Sequence, residues 1–223
     1  MKAAAIIVAG GSGKRFGSKT PKQFLKLNGK SVFMHSIETF SSLKEFKQII
    51  LVVPANMSED LSKKYKNCNF TITSGGKERT DSVKNGLKLI GGDIEFIAVH
   101  DAARPLTNKS DITAVLKAAI KTGAAIAAEK TKDTIKTVKN GFVGNTLDRS
   151  LLWNVQTPQI FEAKLLKKVY SKKISSGATD DSMLIEKTKH KVAVTETKFP
   201  NFKITTPEDF ELAEKILSSR KKQ

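Results

Sequence analysis

Short apolar runs alternate along this chain with longer stretches in which apolar residues return every three or four positions. Ala3 to Val8 is an unbroken apolar run, and Gln48 to Val53 and Ile94 to His100 are similar. Runs of this length with no polar alternation predict strands buried on both faces. Phe70 to Thr73 and Ala124 to Ala128 add two shorter strands. Between them, Ser31–Leu43, 56–66, Glu78–Ile90 and Asp111–Thr122 carry helical spacing, and Thr206-Pro207-Glu208-Asp209 opens a helix running to about Ser218, with Thr as N-cap and Pro at the first helical position. Strand–helix alternation predicts an α/β fold whose mainly parallel sheet is flanked by helices.

One segment breaks the alternation. Asp133 to Gly144 alternates polar and apolar residues around Asn140-Gly141, the sequence of a tight β-hairpin. An isolated hairpin is marginal in water, so this one is predicted to pack on something else, a second subunit being the natural choice.

The run Ala3–Val8 feeds directly into Ala9-Gly10-Gly11-Ser12-Gly13-Lys14-Arg15-Phe16-Gly17-Ser18-Lys19-Thr20-Pro21-Lys22. Glycines let backbone N–H groups approach phosphate oxygens, and Lys14, Arg15, Lys19 and Lys22 add cations to the same loop. The loop is no Walker A motif: Gly29-Lys30-Ser31 has Phe24 where the first glycine is required, and reads as a turn. Nor is it the dinucleotide fingerprint, since Gly17 falls one place late. Its cation density suits a nucleoside triphosphate. Two more strand-end loops are loaded: Ser74 to Ser82, with Gly75-Gly76 entering a helix, and His100-Asp101-Ala102-Ala103-Arg104-Pro105. Asp101 at a strand end suits Mg2+, which takes one or two carboxylates plus substrate phosphates. Arg104 can offer a guanidinium to phosphate. His100 is read as a packed histidine. With no Ser/His/Asp or paired-carboxylate constellation, the equipment is that of phosphoryl or nucleotidyl transfer, where positioning and charge neutralisation do the chemistry.

Composition narrows the setting. The chain has 223 residues and 39% hydrophobic content, and its apolar runs are too short to span a membrane. The N-terminus enters a strand pattern without a signal-peptide pattern, and the single cysteine, Cys68, points to a reducing compartment, so a cytoplasmic location is expected. The formal charge of +17 raises nucleic-acid binding as a competing function. The lysines are, however, spread along the whole chain, and no interleaved aromatic and basic signature accompanies them. A lysine-rich solvated surface is expected, with no specific nucleic-acid partner.

In order along the chain, A-G-G-S-G-K-R-F-G (9–17), P-K-Q-F (21–24), G-G-K-E-R-T-D-S-V (75–83), H-D-A-A-R-P (100–105), D-T-I-K (133–136), L-D-R-S-L-L-W-N-V-Q-T-P-Q-I-F (147–161) and I-T-T-P-E-D (204–209) resemble the motifs of the 2-C-methyl-D-erythritol 4-phosphate cytidylyltransferases. Ribitol-5-phosphate cytidylyltransferases share most of this set. Ala102-Ala103 and Trp153 favour the methylerythritol branch, with ribitol 5-phosphate as the alternative acceptor.

The resemblance implies cytidylyl transfer from CTP to methylerythritol phosphate with release of pyrophosphate, in non-mevalonate isoprenoid synthesis. It implies a Rossmann-like nucleotidyltransferase fold in one domain, Mg2+, and a homodimer clasped through a β-arm at about 132–149. By motif match Arg15, Lys22 and Lys203 brace the triphosphate and stabilise transition-state charge, and Asp101 holds the metal. Ala9, Gly10, Gly11, Gly13, Gly76 and Ser82 contact the cytidine nucleotide. Arg104, Thr134, Arg149, Thr157 and Thr179 face the sugar phosphate, with Thr134 and Arg149 completing the partner subunit's site.

Overall fold

The structure is a computed structural model that describes residues 1–11, 16–17, 20–172 and 177–220. β1 (Ala3–Val8) runs into the first glycine loop. A 3-10 turn (Lys22–Phe24) and a minimal hairpin, β2 (Lys26–Leu27) and β3 (Lys30–Ser31), lead to α1 (Val32–Ser41). β4 (Phe46–Val53), α2 (Ser58–Lys64), β5 (Thr71–Ser74), α3 (Arg79–Leu87), β6 (Phe96–Asp101), α4 (Lys109–Thr122) and β7 (Ala124–Lys130) follow. After the hairpin β8 (Lys136–Lys139) and β9 (Phe142–Thr146), the chain returns through β10 (Trp153–Glu162), α5 (Ala163–Tyr170), α6 (Ser182–Glu186) and β11 (Ala193–Glu196). It closes with α7 (Pro207–Arg220). Among the described residues no helix is long and apolar enough to cross a membrane.

Seven strands form one sheet in the order β11-β7-β10-β6-β1-β4-β5. β1 pairs in parallel with both β4 and β6, β4 with β5, and β7 with β11, while β10 runs antiparallel between β6 and β7. The mainly parallel sheet expected from the alternation is thus present. Along β1, Ala3, Ala5 and Ile7 enter one core with Phe33, Phe40 and Ile112, beneath α1, α2 and α4. Ala4 and Ile6 enter the other with Val83, Leu166 and Leu184, beneath α3, α5 and α6. Burial on both faces is why β1 reads as a continuous apolar run.

α7 lies over a third cluster, Leu27, Val32, Leu106, Ile204 and Ala213, and so braces the segment that carries Lys203. Its N-terminus is capped as the sequence predicts, with the Thr206 hydroxyl accepting the Asp209 N–H at 3.4 Å. Asp209 in return accepts the N–H groups of Thr205 and Thr206 at 2.7 and 2.9 Å. The turn read at Gly29 connects β2 and β3 through two positive-φ residues, Asn28 at 47° and Gly29 at 84°.

The arm is a true hairpin. Asn140 (φ 52°) and Gly141 (φ 82°) occupy the two left-handed positions of a two-residue turn that matches the twist of its strands. Val138, Phe142 and Val143 on the arm are 65%, 79% and 64% exposed, so among the described residues of its own chain nothing covers them.

Candidate active site

β1 and β6 are neighbours, and the chain runs on from β1 to β4 and from β6 to β7, toward opposite edges of the sheet, which opens a crevice beyond their carboxyl ends. The crevice is a cleft of about 500 Å³ lined by Gly10, Gly11 and Lys22 on one wall, by Gly76 to Arg79 and Ser82 on another, and by Asp101, Ala103 and Lys203 between them. All three loops singled out in the sequence meet here.

Both glycine loops are fastened to the sheet through β4. Ala9 N–H donates to Val52 O and Gly75 N–H to Val53 O, both at 2.7 Å. The buried Ser82 hydroxyl accepts the Gly76 N–H and donates to Glu78 O, each at 3.2 Å. A Cβ at Gly75 would stand 2.8 Å from Ser82 Oγ, and one at Gly76 only 2.2 Å from Asp81 Cβ, so neither position accepts a side chain without rearrangement. Glu78 and Asp81 close a reciprocal capping box on α3, which fixes the angle at which this loop enters the helix. The carboxamide of Gln23 donates to Ala9 O and Gly11 O.

Asp101 ends β6 in the centre of the cleft. Its Oδ1 accepts from Arg79 Nε at 3.2 Å and its Oδ2 from Lys203 Nζ at 2.8 Å. Burial alone would raise its pKa, but the Arg79 and Lys203 charges outweigh that and hold the carboxyl well below the usual carboxylate range. It is an anion at neutral pH. Arg79 is half-buried, and desolvation opposes its charge, yet Asp181 and Asp101 more than compensate and keep it protonated. Lys203 is positioned from its neighbour, since Ile204 N–H donates to Ala103 O at 2.8 Å. Lys22 lines the cleft from a largely buried position.

Behind Asp101 lies a packed polar wall. Thr157 Oγ1 accepts the Asp101 N–H at 3.0 Å and stands 3.1 Å from His100 Nδ1. His100 has no exposed surface, and its Nε2 lies 3.2 Å from both Ser36 Oγ and Arg104 O. Burial lowers it to about 4, so it is neutral and structural, as the sequence reading has it. Arg104 Nη1 donates to Asn201 O at 2.7 Å, and Asn201 in turn donates to Thr157 O at 2.8 Å. Arg104 Nε is buried without a partner.

The structure therefore brings Ala9, Gly10, Gly11, Lys22, Gly76, Ser82, Asp101 and Lys203 together in or immediately around one cleft, with Arg104 and Thr157 in the wall behind it. Thr179 is exposed beside Asp180. Thr134 and Arg149 sit on the exposed arm rather than in the cleft lining, and Arg149 Nη1 donates to Lys132 O at 3.0 Å. Gly13 and Arg15 lie outside the described residues.

Sequence reasoning missed Arg79, Gln23, Gln159, Asp181 and Tyr170. Arg79 bridges Asp101 and Asp181, whose carboxylate is fully buried and also accepts the Tyr170 hydroxyl. Asp181 lies 102 positions from Arg79, so no local spacing signals the pair.

For Mg2+, the fit rests on one carboxylate. Among the described residues no group of three or more His, Cys, Asp or Glu side chains is placed to hold a metal ion. Asp101 is ionised, and its two carboxylate oxygens have more acceptor sites than the bonds from Arg79 and Lys203 use, so it can supply one ligand, with phosphate and water oxygens completing the shell.

Known proteins resemble this chain over nearly its whole length. A family model described as IspD, 2-C-methyl-D-erythritol 4-phosphate cytidylyltransferase, matches residues 3–219. The 2-C-methyl-D-erythritol 4-phosphate cytidylyltransferase of Endomicrobium trichonymphae is 62% identical over 220 residues, covering 98% of this chain and 100% of that one. A chloroplastic protein of the same name from Oryza sativa subsp. japonica is 41% identical, covering 96% and 74%. The crystal structure of 4-diphosphocytidyl-2C-methyl-D-erythritol synthase from Anaerococcus prevotii superposes with a TM-score of 0.83 at 30% identity, covering 97% of this chain and 96% of that one. A match over nearly the whole length, in sequence and in fold, makes this chain a member of the 2-C-methyl-D-erythritol 4-phosphate cytidylyltransferase family.

Proposed function

We propose that the cleft transfers the cytidylyl group of CTP to 2-C-methyl-D-erythritol 4-phosphate. An oxygen of the acceptor phosphate attacks the α-phosphorus of CTP in line. A new P–O bond forms, the bond to the bridging oxygen breaks, and pyrophosphate leaves. The observation that carries this reading is the meeting of Lys22, Lys203 and Asp101 in one cleft walled by two glycine loops.

Two anions must meet for this reaction, and their repulsion is the main obstacle. Lys22 and Lys203 offset it and stabilise the charge that builds on the five-coordinate phosphorus. Arg15 joins them by its place in the glycine-loop motif, and Gly13 by the same motif serves the nucleotide. The backbone of Ala9–Gly11 and of Gly75–Gly76, each tied to β4, cradles the nucleotide, with Ser82 holding the second loop in shape. Asp101 would hold Mg2+, which supplies Lewis-acid charge neutralisation between the phosphates.

Arg104, Thr157 and Thr179 serve the acceptor side, Thr157 by fixing the backbone of Asp101. The chain acts as one catalytic domain whose arm clasps a second copy. Uncovered Val138, Phe142 and Val143 support that pairing, which brings Thr134 and Arg149 to the partner's acceptor site.

The test is a product assay with CTP, Mg2+ and methylerythritol phosphate, run beside ribitol 5-phosphate. Pyrophosphate release and the mass of the cytidine diphosphate product are expected with the first acceptor. Turnover confined to ribitol 5-phosphate, or absent with both, overturns the reading.

A further inference from the structure

Two cations share the Asp101 carboxylate, and they are held very differently. Lys203 reaches Oδ2 at 2.8 Å from a side chain that is 42% exposed. Arg79 reaches Oδ1 at 3.2 Å through Nε, while its Nη1 is fastened to Asp181 Oδ2 at 2.7 Å. Asp181 has no exposed surface. Its other oxygen accepts the Tyr170 hydroxyl, and the N–H groups of Asp181 and Ser182 both donate to Gln159 Oε1, at 3.1 and 3.0 Å. For Arg79 to leave this arrangement, a buried carboxylate would have to lose its counter-ion, which is far costlier than parting an exposed pair. Among the described residues Lys203 has no second carboxylate of this kind behind it.

We infer that Asp181, braced by the Tyr170 hydroxyl, is a positioning residue that pins Arg79 to Asp101, so that Lys203 is the cation free to move from that carboxylate to the phosphates of a bound nucleotide. The inference deepens the proposed function and rests on nucleotide binding in this cleft. If both cations left, Asp101 would keep neither of these side-chain cations beside it as the phosphates approach, and repulsion between the anions would be offset by bound Mg2+ alone. With Arg79 anchored, one positive charge stays on Asp101 while the other is delivered. Neither Asp181 nor Tyr170 touches substrate in this scheme. Both act through Arg79.

The experiment uses the full chain with Asp181→Asn and Tyr170→Phe. The first reading is the exchange rate of the Arg79 Nε proton by nuclear magnetic resonance, its signal assigned by its absence in Arg79→Lys. In the unaltered protein the proton is expected to stay protected before and after CTP is added. In both variants it should exchange about tenfold faster or more, as expected for the loss of a charge-assisted hydrogen bond. The second reading is turnover. Asp181→Asn is expected to lower kcat about tenfold or more while KM for methylerythritol phosphate stays within about twofold, and Tyr170→Phe to move the same way by less.

A folded Asp181→Asn protein with unaltered kcat, a loss expressed as acceptor KM, or release of Arg79 when CTP binds would each overturn the inference. Should Asp181→Asn fail to fold, Tyr170→Phe, which removes one oxygen, decides alone. Absence of turnover in the unaltered protein would count against the proposed reaction, whereas the Arg79 proton judges this inference separately.

Discussion

The side-chain amide of Gln23 donates a 2.6 Å hydrogen bond to the carbonyl oxygen of Ala9, tying the turn after β1 to the segment that follows the first glycine loop. The same nitrogen reaches Gly11 O at 2.8 Å. Gln23 thereby closes the loop from below and fixes the backbone that faces the cleft. Gln23→Ala leaves the buried Ala9 carbonyl without this donor and is expected to cost about 2–3 kcal/mol, or about 5–10 °C in Tm. Gln23→Glu should be worse, because a carboxylate oxygen would face two carbonyl oxygens. Thermal unfolding checks the order, and affinity for CTP should fall with it. A Gln23→Glu protein as stable as the parent would show that the tether does not matter.

Lys22 and Lys203 approach the cleft from opposite ends of the sequence, one on the 3-10 turn after the glycine loop and the other on the segment braced by α7. As donors of transition-state charge stabilisation, each is expected to be worth about 10²–10³ in kcat when replaced by alanine. Steady-state kinetics with both substrates varied would check this. Turnover by Lys22→Ala within about twofold of the parent would remove that lysine from the mechanism.

The fold was legible wherever the core is simple. β1, β4 and β6 are buried on both faces, so their apolar runs stand out, and the Asn140-Gly141 turn marks the arm by its backbone geometry alone. β10 was not legible as a strand. It lies in the middle of the sheet yet carries Pro158, which cannot donate to a ladder. The structure accommodates it where pairing with β7 breaks between Val155 and Gln159. β11 and α6 span only Ala193–Glu196 and Ser182–Glu186, too short for periodicity to register. At the site, glycines, Lys22, Asp101 and Lys203 announce themselves by residue type and motif. Arg79, Asp181 and Tyr170 do not, because their roles exist only once α3, α5 and the loop before α6 have packed together.

His100 gives the protein a defined loss of stability in mild acid. Burial lowers it to about 4 in the folded state, against about 6.5 unfolded; Asp101 and the hydrogen bond with the Arg104 carbonyl pull it up, while the Arg104 and Arg79 charges push it down. Between these values the unfolded chain binds a proton that the folded chain does not. Stability is therefore full above about pH 6.5 and falls by up to about 3 kcal/mol as pH drops to about 4. Asp101, held low, contributes its own loss only below the ordinary carboxylate range. Urea unfolding from pH 7 to pH 4.5 should show the decline, and His100→Gln, which cannot titrate, should flatten it. An equal slope in both proteins would assign the acid loss to other groups.

The arm offers a way to separate pairing from folding. Phe142 is 79% exposed in its own chain and sits opposite Lys139 in the hairpin register. An aspartate at this position would face an opposite charge, so Phe142→Asp keeps the hairpin itself favourable, yet it replaces an exposed aromatic side chain of the arm proposed to meet a second copy with a carboxylate. The variant should still unfold cooperatively, because no contact in the chain's own core is lost, with Tm lowered only by the loss of the second copy. In light scattering after size-exclusion chromatography, the parent should elute with the mass of two chains and Phe142→Asp with the mass of one. Activity should fall with the mass, since Thr134 and Arg149 would no longer reach a partner's cleft, and KM for the acceptor should rise more than KM for CTP. A parent of single-chain mass with full activity would mean that the cleft needs no second copy, and the exposed Val138, Phe142 and Val143 would then require a different occupant.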